Sequence, residues 1–100
     1  MEYIILDSYF EGSGVRNIVS EEYININDLN IDKSLKQEIK EWKKEYDEAF
    51  LKNKLDQDLI DKLDEKALKI CFFINNNSKI YKVDYYYSEY LSERIYCKKQ

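Results

Sequence analysis

The chain has no histidine, no proline, only two glycines and two cysteines, and no long apolar run. The missing histidine removes the commonest general base and the commonest metal ligand. A zinc site would have to be assembled from Cys71, Cys97 and carboxylates, and their spacing carries no ligand pattern. A cysteine nucleophile would lack its usual histidine partner. Twenty acids offer many carboxylate pairs, yet nothing in the sequence sets one pair apart from a solvated face. Neither enzymatic activity nor a metal or cofactor is expected.

No segment approaches the ~20 consecutive apolar residues of a membrane span. The opening MEYIILDSYF carries an acid at position two and no basic stretch, so it does not read as a secretory leader. With no CxxC spacing, Cys71 and Cys97 read as buried, reduced thiols, and the expected compartment is cytoplasmic. One hundred residues without internal repeat or linker suit a single domain spanning 1–100.

Acids outnumber bases, and the imbalance is graded along the chain. Residues 1–32 carry seven acids and one base, whereas residues 66–100 carry seven bases and three acids. With a net charge of −4 the chain is a poor nucleic-acid binder, since that role needs a concentrated basic face. It suits a partner protein with a basic surface.

Leu35, Ile39, Trp42, Tyr46 and Phe50 in SLKQEIKEWKKEYDEAF recur at the period of one helix face, so Ser34–Phe50 is expected to be an amphipathic helix. Its Trp42 is the only tryptophan and the natural core anchor. Asp32 and Ser34 compete as N-caps, Ser34 having Gln37 three residues on. The helix should end near Lys52-Asn53-Lys54. A second helix starts at Asp56 or Asp58, and Leu59, Ile60, Leu63, Ala67, Ile70, Cys71 and Ile74 continue its apolar stripe to about Asn75. Residues 68–74, LKICFFI, also suit a buried strand, but the unbroken stripe favours helix.

Glu2–Phe10 alternates as a strand, with Ile4, Leu6, Ser8 and Phe10 on the core side and Tyr3, Ile5, Asp7 and Tyr9 opposite. Gly12 and Gly14 mark a loop before the strand-like Val15–Val19. A phosphate cradle would need a helix there, and none is signalled. N-I-N-D-L-N-I-D lacks the central glycine and the final glutamate of a calcium loop. Lys79–Tyr87 is the clearest strand, with Tyr81, Val83, Tyr85 and Tyr87 facing inward and Ile80, Lys82, Asp84 and Tyr86 outward; Glu93–Cys97 pairs beside it. The expected fold is α+β in the order β-β-α-α-β-β, a mainly antiparallel sheet of three to four strands with two amphipathic helices on one face.

The outward side of that sheet then carries acids interleaved with tyrosines: Asp84, Tyr86, Glu89 and Tyr90 from the late strand, joined by Asp7 and Tyr9 from the first. Tyrosine supplies contact area at low entropic cost, and the acids favour encounter with a basic partner. Asp58, Asp61 and Asp64 at the second helix start form an alternative binding site.

The leading YIILDSY, the helix segment DLNIDKSLKQEIKEWKKEY with its L-x3-I-x2-W-x3-Y pattern, an acidic second helix and the late IYKVDYYYSEY together resemble small bacterial immunity proteins. Such proteins protect against polymorphic or contact-dependent growth-inhibition toxins. The resemblance implies a cytoplasmic protein that neutralises a cognate toxin domain by binding it, without catalysis, cofactor, nucleic acid or membrane. The alternative is a phage-type inhibitor or acidic nucleic-acid mimic.

Overall fold

The computed structural model describes residues 1–86 and the backbone of residues 94–96. The strands are β1 (Glu2–Asp7), β2 (Val15–Asn17), β3 (Tyr81–Tyr86) and β4 (Arg94–Tyr96); α1 (Lys33–Leu51) and α2 (Gln57–Asn77) lie between β2 and β3. Element order follows the sequence reading. Two of the three strand pairings are antiparallel, as expected, but the sheet is mixed: its order is β2-β1-β3-β4, with β1 and β3 running parallel at its centre. The parallel pair has a topological cause. After β2 pairs antiparallel on one side of β1, the helical hairpin carries the chain across the sheet and delivers β3 to the other side. A crossover of that length is what parallel neighbours require.

Trp42, Leu63, Ala67 and Cys71 from the helices pack with Ile4, Leu6, Val15, Val83 and Tyr85 from the sheet in one core. The α1 stripe appears as expected at Leu35, Ile39, Trp42 and Tyr46, but its next buried member is Ala49, not Phe50. Asp32 occupies the α1 N-cap position without a side-chain cap bond, and Gln37 instead bonds Glu41. The C-terminus closes with Asn53 at φ 54, Asn53 N–H bonding the Phe50 carbonyl and Lys54 N–H the Ala49 carbonyl. Asp56 caps α2 through Leu59 N–H at 2.8 Å, and residues 68–74 are helical.

Asn75, near the end of α2, substitutes for a strand. Its side-chain oxygen accepts from Val83 N–H at 2.7 Å and its amide donates to the Val83 carbonyl at 3.0 Å. Among the described residues β4 pairs with 84–86 of β3, and this amide covers the backbone of the residue just before them.

Candidate protein-binding face

The loop that carries the chain from β1 to β2 is fixed by its own short-range bonds. Asp7 accepts from Tyr9 N–H at 3.0 Å, Gly12 N–H reaches the Tyr9 carbonyl at 3.0 Å, and Asp7 N–H reaches the Gly14 carbonyl at 2.9 Å. Ser13 Oγ donates to the Ile24 carbonyl at 2.6 Å, tying the loop to the segment that bridges to β2. Gly12 is needed for space: a Cβ there would lie 2.2 Å from the Tyr23 ring. Gly14 is needed for conformation, at φ +104.

Beneath the loop sits Lys43 of α1. It is buried, donates to the Phe10 carbonyl at 3.3 Å and pairs with Asp47 one turn on. This anchor seats Phe10 against Phe50, rings 5.1 Å apart and near parallel. Tyr9, the residue before Phe10, stacks with Tyr23 at 6.5 Å. Tyr23 is held from below, its hydroxyl donating to Asp7 at 3.1 Å. The same carboxylate oxygen pairs with Arg16 Nε at 3.1 Å, and the Arg16 guanidinium lies over the Tyr86 ring at 5.3 Å. Burial first, then the Asp7 charge and hydrogen bond, push the Tyr23 phenol up to about 12. It therefore stays a neutral donor throughout the physiological range.

Four aromatic rings are thus carried by one pinned loop and the elements flanking it. Tyr9, Tyr23 and Phe50 keep 44%, 38% and 40% of their surface open despite stacking in pairs. The charges beneath them are paired internally, as Asp7 with Arg16 and Lys43 with Asp47. Exposed acids neighbour these rings along the chain: Glu11 follows Phe10, and Glu21 and Glu22 precede Tyr23. An aromatic centre with satisfied charge and an acidic rim is the composition of a protein-binding patch.

Of the residues expected on the outward sheet face, Asp7, Tyr9 and Tyr86 do come together. Asp84 lies in register with Ile5 on that face, but both Asp84 and Asp7 are buried, at 5% and 8% exposure. The expected open acidic sheet face is therefore closed at these two acids. At Asp7 the cover comes from the Tyr23 hydroxyl and the Arg16 side chain, both set on its carboxylate. Glu89 and Tyr90 lie outside the described residues. In the alternative site Asp58 and Asp61 are exposed, while Asp64 is buried and accepts a hydrogen bond from the Tyr85 hydroxyl.

Arg16, Phe10, Tyr23 and Phe50 were not singled out for this site by sequence. One signal was available: after Tyr46 the stripe steps by three to Ala49, which turns Phe50 onto the helix flank. Among the described residues no group of three or more cysteines and acids is placed to hold a metal, and no helix is long and apolar enough to cross a membrane. No protein-family model, curated protein or solved structure matches the chain.

Proposed function

We propose that this protein is an immunity-type inhibitor, a non-enzymatic cytoplasmic partner that neutralises a toxin domain by binding it through the face formed by Tyr9, Phe10, Tyr23 and Phe50. The observation that carries this reading is the pinned, half-open aromatic cluster with its buried charges already paired. A rigid aromatic anchor loses little conformational entropy on binding. Asp7 acts through Tyr23 and Arg16, as a positioning residue, and does not meet the partner's basic groups itself. Those groups are met by the rim acids, which accelerate encounter.

The alternative, an acidic nucleic-acid mimic, draws less support from the charge arrangement. Glu38, Glu41, Glu45 and Glu48 do follow one another along α1, but Lys40 and Lys44 are interleaved with them. Lys66 of α2 also pairs directly with Glu45. A nucleic-acid-binding target would meet both signs at once.

The test is co-expression with toxin candidates encoded beside this protein's gene. Restored growth for one of them supports inhibition by binding. Continued growth arrest with every neighbouring candidate would set the reading aside.

A further inference from the structure

The two helices also form a groove of about 510 Å³ lined by residues distinct from the aromatic face. Leu35 and Trp42 of α1 and Ile70 and Phe73 of α2 give it an apolar floor. Phe73 remains 50% exposed there. The walls carry opposite charge: Glu38 and Glu41 stand on the α1 side, Lys66 and Lys69 on the α2 side. Lys66 already reaches across to Glu45 at 2.8 Å. The short connection at 52–56 makes the helices antiparallel, so Glu38 lies level with Lys69 and Glu41 with Lys66.

We propose that this groove is the docking face for a second copy of the chain, related by a two-fold axis along the groove. Rotation about that axis lays α1 of one copy over α2 of the other. Each acidic wall then meets a basic wall at the same height, Glu38 facing Lys69 of the second copy, and the reverse contact follows by symmetry. Each Phe73 is brought against the first turn of the opposing α1. An unrelated partner would have to present a basic row and an acidic row in the matching order; a second copy carries that order already. Helices of 19 and 21 residues offer a face ~30 Å long and ~20 Å wide. A pair of such faces buries roughly 1,200 Å², the lower end of specific interfaces. The dimer is accordingly weak and salt-sensitive. It does not depend on the inhibitor reading.

Sedimentation equilibrium of the full chain, from roughly 1 to 500 μM, spans the range for a weak interface. A dimer that loosens with added salt is expected. Glu38→Lys and Lys69→Glu should each weaken it about tenfold by setting like charges opposite one another, and the two together should restore it. Phe73→Glu should leave a monomer with an unchanged melting temperature; if that variant does not fold, the charge-reversal set decides. A wild-type chain monomeric at the highest concentration in low salt overturns the proposal. So does a dimer that none of these variants weakens, or one that the double reversal fails to restore.

Discussion

Trp42 donates from Nε1 to the Leu63 carbonyl at 3.0 Å and meets Tyr46 and Tyr85 edge-on, at 5.8 and 6.1 Å. One side chain therefore ties both helices to β3. Trp42→Ala should lower the unfolding free energy by ~3–5 kcal/mol, read from the urea midpoint; a variant with the wild-type midpoint would remove Trp42 from the core. Asp64 is the harder residue. Burial raises its carboxyl above the ordinary 3.8, while the hydrogen bond from Tyr85 opposes that shift. The folded chain thus holds this proton to higher pH than the unfolded chain does. Between 3.8 and the raised value the folded state binds more protons, so this group's contribution to stability falls as pH rises. The stability of wild type relative to Asp64→Asn should decline across that window and then level off. A flat or rising difference in denaturant titrations contradicts the assignment. Its position also shows what composition hides: Asp58, Asp61 and Asp64 look alike in sequence, yet one turn of helix separates the solvent from the core.

At the level of elements, α1 and α2 were legible because a helix writes its buried face at fixed spacing, from Leu35 to Tyr46 and from Ile60 to Ile74. β3 was legible for the same reason, its alternation putting Tyr81, Val83 and Tyr85 inside. The β1–β3 pairing was not. It joins segments nearly eighty positions apart through backbone bonds that carry no residue-specific mark. The β1–β2 loop lay between these cases: its two glycines signalled a turn, but not that one of them makes room for Tyr23. Gly12→Ala should displace that ring, release the Tyr23–Asp7 bond and weaken partner binding, with little change in the melting temperature because the core lies elsewhere. The Tyr23 phenol, less buried and free of Asp7, should then titrate below about 12, toward its ordinary 10.0. Ultraviolet absorbance of the tyrosines follows this directly, and an unchanged titration means that the loop accommodates the methyl group.

For the molecule as a whole, the sheet order leaves separate surfaces with different character: an aromatic face at the β1–β2 loop and a charge-walled groove between the helices. Net charge alone pointed to a basic partner but not to either surface, because Asp7, Asp47 and Glu45 are engaged in ion pairs within the fold. The central claim is that the aromatic face neutralises a toxin. It is tested most directly by growth rescue with three forms of the chain: wild type, Tyr9→Ala with Phe50→Ala, and Phe73→Glu. Both sets of changes fall on half-exposed rings, so all three proteins should fold, as circular dichroism and melting will verify. Wild type and Phe73→Glu are predicted to restore growth, and the Tyr9/Phe50 double variant to fail. Rescue by a folded double variant at the wild-type level would contradict the account.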